Sequence, residues 1–319
     1  MESFSSLGSV VLATSVITFA ATKEFLLSKN KSTSSVSEIP SEVNTSSLIK
    51  ELGFDPIKTR SVLMNKEKSP YAILDHKYPA KKHCENVVSK LQTITMPHSC
   101  AFLNFGNLVE SIKYCDTNKP FRQKRYFYYL SGVDLPGCAV YYDISKKKLT
   151  LFLQNVDEDD IMWSGEPLSC KQALDKYDVD EVLYMKDLPN FLRERKEIDN
   201  VSNIFMDDLD NVPKDLDLSA LPISAESKEF LYAIDESRVI KDAYEIACIR
   251  KACEITDNCH LATMQAIPIE TNEIHLQAEF TYHAIRQGSV SQGYEPICCS
   301  GTNCSTLHYV KNDESIKHR

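Results

Sequence analysis

A mixed α/β (α+β) fold in two parts is what the sequence predicts, and three observations carry that prediction. Between about Pro70 and Asn200, runs of aromatic and β-branched residues alternate with short amphipathic segments, the pattern of strands interleaved with helices. From Asp242 to Gln287 the pattern is helical throughout, in two long segments. An acidic, proline-broken stretch from Val201 to Leu221 separates the two regions and reads as a connection. At 319 residues the chain is too long for one small domain. We divide it into a leader and linker (1–45), an N-terminal α/β domain (46–215) and a C-terminal segment (216–319).

The leader opens the chain. Phe4 to Ala21 carries no charge, and lysines follow it at positions 23, 29 and 31. Its length approaches the roughly 20 residues of a membrane span, but its many Ser and Thr keep it only moderately apolar. A membrane anchor with a cytoplasmic remainder, by the positive-inside bias, and a disordered leader both stand as readings. Asn30 to Asn44 is Ser-rich and lacks aromatic residues, the composition of a flexible linker. Order is expected from about Ser46.

A short strand is expected at Tyr71–Leu74, and a helix after Pro79. Cys84, Val87, Val88 and Leu91 recur on that helix at three- and four-residue spacing. The stretch "RYFYYLSGVDLPGCAVYYDISKKKLTLFLQ" reads as a three-stranded meander, broken at Ser131-Gly132, at Pro136-Gly137 and at Asp143 to Lys147. Lys146-Lys147-Lys148 then lies in a solvated hairpin turn. Asp157 to Asp160 lacks the alternate spacing and the glycine of a calcium loop, and reads as a solvated loop. Trp163 beyond it is expected to pack. A helix through Gln172 to Tyr177, a strand at Asp180 to Met185 and a helix opening at "LPNFLRERK", with Pro189 in its first turn, complete the domain.

Asp242, with Glu245 three residues on, reads as a capping box for the first long helix, ending near Ile267 before Pro268. Ile246, Ile249 and Cys253 mark its expected buried stripe. Thr271 is the expected cap of the second helix, which carries Ile274, Ala278 and Tyr282 and stops at Gly288. Tyr294 to Cys299 reads as a buried strand, followed by a Ser-Gly-Thr-Asn turn and a histidine at Leu307-His308-Tyr309.

The net charge of -9 weighs against a nucleic-acid surface, which needs clustered positive charge. The 11 cysteines show no C-x-x-C pair and fit a reducing compartment. Adjacent Cys298 and Cys299 are poor joint ligands for one tetrahedral ion, so with Cys304 they are read as packed residues. Cys248, Cys253 and Cys259 read as small apolar helix residues, and His260, His275 and His283 as structural.

Three blocks in order, "FRQKRYFYYLSGVDLPGCAVYYD", "MWSGEPLS" with "LDKYDVDEVLY", and "YEPICCSGTNCSTLHYVKND", together resemble the fungal Xaa-Pro aminopeptidases and prolidases over about Pro70 to Ile316. The resemblance implies a creatinase-like N-terminal domain followed by a "pita-bread" metallopeptidase domain, here incomplete. It implies removal of a residue that precedes proline, usually with two manganese ions. It gives His308 the role of facing the substrate and donating a hydrogen bond near the scissile amide, and leaves Asn303 only the turn. Such chemistry needs carboxylates that hold the ions and activate water. By the same resemblance those ligands follow the "LHY" block, and Asp313 and Glu314 match none of them. We therefore expect the metal site to be missing, no metal cofactor for this chain, and no activity alone. The expected partners are a proline-containing peptide and a second copy or full-length homologue. The alternative is a non-catalytic, partner-binding protein built on the creatinase-like domain.

Overall fold

A computed structural model describes residues 71–95, 99–214 and 216–316. The leader at 4–21, the linker at 30–44 and the expected onset of order at Ser46 lie outside the described residues. Among the described residues no helix is long and apolar enough to cross a membrane.

A six-stranded mixed sheet organises the N-terminal region. Its strands are β1 (Cys100–Phe105), β2 (Ala139–Asp143), β3 (Lys148–Leu153), β4 (Glu181–Tyr184), β5 (Asn203–Met206) and β6 (Ile223–Ala225), in the spatial order β4-β3-β2-β1-β5-β6. β2 pairs antiparallel with both β1 and β3, while β4, β5 and β6 join in parallel. All six residues of β1 are buried, because both faces of the sheet are covered.

The period of two along a strand sorts the core into two layers. Phe102, Val140, Tyr142, Leu149 and Leu151 face α1 (Ala80–Leu91), α2 (Arg125–Ser131) and α6 (Lys228–Val239). Leu103, Phe105, Tyr141 and Phe152 face α5 (Leu188–Glu197) on the other side. Each fully buried Leu or Phe of these layers contributes about 1.5–3 kcal/mol. Two short helices, α3 (Glu158–Ser164) and α4 (Cys170–Lys176), connect β3 to β4, and α4 opens with a Ser169–Gln172 capping box.

The C-terminal segment begins with α7 (Ala243–Ala266) and α8 (Glu273–Arg286), which pack on each other. The Asp242–Glu245 capping box of α7 is present in both directions. Gly288 ends α8 with φ +93°, a backbone region that glycine enters freely.

Several sequence expectations are corrected. Tyr71–Leu74 is no strand; Ala72–Asp75 is a 3-10 turn. The first strand of the meander is helix α2. Its aromatic run has strand composition, but Phe127, Leu130 and Ser131 are buried at helical spacing and Gly132 closes the helix in the left-handed region. β1 has no counterpart among the expected strands, and β5 lies inside the expected connection, where flanking aspartates mask its apolar core. The sheet runs on through β6 past position 215, and Phe230, Ala233 and Ile234 of α6 belong to its core. Asp157 caps a short helix, α3, in place of a loop, and Trp163 is 78% exposed on it. Asn272, not Thr271, caps α8. Ile246, Ile249 and Cys253 of α7 and Ile274 of α8 stand exposed, and Tyr294–Cys299 forms no strand. A lone strand there has no neighbour among the described residues with which to pair its backbone.

Candidate functional site

The residues after Gly288 fold back over the start of α8 and are held by side chains rather than by a sheet. Glu273, in the first turn of α8, is fully buried and accepts four hydrogen bonds from side chains and backbone of the Ser300–Tyr309 stretch. Ser300 donates twice to Oε1, from N at 2.7 Å and from Oγ at 2.8 Å. Asn303 Nδ2 donates to the same oxygen at 3.1 Å, and the Tyr309 hydroxyl donates to Oε2 at 2.6 Å. The Glu314 amide adds a longer bond at 3.3 Å. Burial works against the charge on Glu273, but the donors from Tyr309, Asn303 and Ser300 outweigh it and hold the carboxyl down at about 2. The position near a helix N-terminus favours the same anion. In return the hydrogen bond to Glu273 pushes the Tyr309 hydroxyl up to about 12.

A second clamp is Asn312, which is buried with φ +48°. It accepts from the Cys298 amide at 3.0 Å and donates to the Pro296 carbonyl at 2.7 Å and to Gln277 Oε1 at 3.0 Å. Asn tolerates this left-handed backbone better than most residues. The end of the segment is tied by the pairing of Asn272 with Ser315 and by Ile316 N donating to the Thr271 carbonyl at 2.9 Å.

His308 sits between these clamps. Tyr309 beside it is buried, Leu307 before it is 85% exposed, and His308 itself is exposed, with no hydrogen-bond partner among the described residues. The loop thus fixes the backbone of His308 and leaves its ring exposed. Asn303, read from the sequence as a turn residue only, also donates to Glu273 and to the Tyr309 hydroxyl. Sequence reasoning missed Glu273 and Asn312 as site residues. The signal for Glu273 was its place in the first helical turn, one residue after an Asn cap. Cys298 and Cys299 are half-buried and Cys304 is exposed, so their reading as packed residues fails. His275 pairs with Glu270, His283 with Glu279, and His260 packs on Phe280.

Among the described residues one group of three could offer ligands to a metal: His83, Asp242 and Glu245. Their ligand atoms are already engaged. His83 Nε2 lies 3.0 Å from Asp242 Oδ2, Glu245 N donates to Asp242 Oδ1, and Asp242 N donates to Glu245 Oε2. The group also closes the positive end of a 24-residue helix, a poor place for a cation. It does not fit a two-metal hydrolytic centre, which needs bridging carboxylates with open positions. Asp313 and Glu314 are paired with Lys311 at the surface. A cleft of about 360 Å³ at the ends of β1 and β3, lined by Phe105, Gln154 and Lys186 among others, holds no acid–base pair.

Residues 81–205 match the aminopeptidase P N-terminal domain, and residues 247–319 match metallopeptidase family M24. The chain is 51% identical over 261 residues to an uncharacterized peptidase, YFR006W, of Saccharomyces cerevisiae, covering 79% of this chain and 47% of that protein. It is 41% identical to a "Probable Xaa-Pro aminopeptidase pepP" of Talaromyces marneffei, covering 76% of this chain and 52% of that one. The chain therefore spans about half the length of the curated relatives it matches. Aminopeptidase P of Escherichia coli, solved with the inhibitor Pro-Leu, shares the fold with a TM-score of 0.60 at 20% identity, over 76% of this chain and 57% of that one.

Proposed function

We propose that this chain, which matches the aminopeptidase P N-terminal domain and then metallopeptidase family M24, belongs with the Xaa-Pro aminopeptidases, and that its Ser300–Asn312 loop is the substrate-facing wall of a site for peptides with proline in second position. His308 is the residue that meets the peptide, donating a hydrogen bond near the amide before proline. The observation that carries this reading is the pairing of a rigidly clamped backbone, through Glu273 and Asn312, with an exposed and unengaged His308 ring. Hydrolysis in this family relies on metal ions, and we propose manganese as the metal. The described residues do not fit such a pair of ions, and the 319-residue chain alone is expected to leave Xaa-Pro peptides intact.

Two measurements test this. Pro-Leu, the inhibitor seen with the Escherichia coli enzyme, should perturb the His308 ring resonances on titration, and His308→Ala should weaken binding several-fold. A titration that moves other residues and leaves His308 unchanged overturns the assignment. Metal analysis finding one or two tightly bound ions per chain, with peptide hydrolysis that a chelator abolishes, overturns the expected inactivity. We also place the chain in the cytoplasm with residues 4–21 as its membrane contact; a soluble fraction holding all of the intact chain counts against that contact.

A second reading, a non-catalytic partner-binding protein, is favoured by one observation: Ile246, Ile249 and Ile285 of α7 and α8 are all at least 40% exposed. Co-purification of a longer homologue with the chain supports it, and a monomer at all concentrations opposes it.

A further inference from the structure

Cys299 lies just before the N-cap of the 3-10 turn Gly301–Ser305, and Cys304 is the fourth residue of that turn, in the loop that carries His308. The Cys304 thiol folds back over the turn and donates to the Cys299 carbonyl at 3.5 Å. Their surroundings differ. Cys304 is exposed, whereas Cys299 is half-buried, and burial, with the Cys304 hydrogen bond second, raises its thiol. Nothing else in the loop takes up the Cys304 sulfur, and no packing role explains an exposed thiol here.

We propose that Cys299 and Cys304 form a reversible disulfide that closes a ring around Ser300, Gly301, Thr302 and Asn303. The oxidant is a low-molecular-weight disulfide such as glutathione disulfide. The exposed Cys304 thiolate attacks one of its sulfurs, forming a mixed disulfide and releasing one glutathione thiol. Cys299, losing its proton to solvent, then attacks the Cys304 sulfur, forms the internal disulfide and releases the second glutathione. Two protein thiols are oxidised and one disulfide is reduced. The ring contains Asn303, which donates to both Glu273 and Tyr309, so closure bears on the clamp that positions His308. That last consequence rests on the proposed role of the loop in peptide binding; the disulfide itself does not.

The test uses the intact 319-residue chain, equilibrated in glutathione buffers from fully reduced to fully oxidised, then quenched with an alkylating agent. Trypsin releases Gln287–Lys311, a peptide with three cysteines and no internal Lys or Arg. The reduced chain should carry three alkyl groups on it. The oxidised chain should carry one, on Cys298, with the mass of the peptide otherwise lowered by two hydrogens. Cys298→Ser should leave the oxidation unchanged, and either Cys299→Ser or Cys304→Ser should abolish the internal disulfide. Three alkyl groups in every buffer overturn the proposal, and so does a surviving alkyl group on Cys299 or Cys304. Because the readout is a mass, it stands whether or not the loop binds peptides; Pro-Leu titration of the oxidised chain separately tests the link to binding.

Discussion

His83 of α1 and Asp242 at the N-cap of α7 meet at 3.0 Å, and this contact joins the sheet domain to the C-terminal helical segment. His83 is fully buried. Its other ring nitrogen lies 3.0 Å from the Tyr129 carbonyl, and its ring stacks on Tyr129 at 4.2 Å and meets Tyr78 edge-on at 4.9 Å. Asp242 Oδ1 meanwhile caps α7. One carboxylate therefore ends a helix and fixes a neighbouring domain.

Replacing either partner should cost more than a cap alone. We expect Asp242→Ala to lower stability by about 2–4 kcal/mol through the lost cap and the unpartnered buried His83 together, and His83→Ala by about 2–4 kcal/mol through the cavity and the broken hydrogen bonds. Urea denaturation of the two single variants and the double variant should give a coupling of at least about 0.5 kcal/mol. Strict additivity would show that the contact is incidental.

Acid should loosen the His308 loop through Glu273. Its folded carboxyl titrates at about 2, below the roughly 4.3 of an unfolded Glu. A depressed folded value gives stability that is complete above the unfolded value and is lost as pH falls toward 2. Amides from Cys298 to Glu314 should then exchange faster between about pH 4 and pH 2. Glu273→Gln should flatten that dependence and speed exchange at neutral pH. Tyr309 supplies the alkaline limb: its hydroxyl is raised from 10.0 to about 12, chiefly by the Glu273 hydrogen bond, so its contribution is lost as pH rises through that range.

Gly132 should resist substitution. It has φ +67°, and a Cβ there would lie 2.5 Å from the Tyr78 ring. Gly132→Ala should destabilise by about 2–3 kcal/mol, from the left-handed backbone and the displaced ring together. A thermal midpoint shift within error would contradict this.

The exposed face of α7 and α8 should make the chain associate. Sedimentation velocity is expected to show a weight-average mass that rises with concentration. Ile249→Lys with Ile285→Lys should suppress the rise while changing stability by less than about 1 kcal/mol. If the double variant associates as the parent does, the apolar face is not the cause.

Local rules made much of this protein legible from its sequence. The Asp242–Glu245 box, the stripe of Cys84, Val87 and Leu91, the hairpin turn at Lys146–Lys148 and the stop at Gly288 all follow from contacts within a few residues, and all are present in the structure. His308 was singled out by resemblance, and nothing in its local pattern shows that its ring is free. Tertiary structure decided the rest. Tyr126 to Tyr129 has the composition of a strand, and only its place over the sheet makes it a helix. β5 becomes a strand because β1 offers it a parallel edge, despite its aspartate neighbours. The apolar residues of α7 and α8 fall at helical spacing, but spacing cannot say whether anything covers them. Glu273, Asn303 and Tyr309 become one clamp, and Asn312 with Gln277 a second, through contacts spanning up to 36 positions in sequence, and no short-range pattern encodes which distant donors a buried carboxylate will collect.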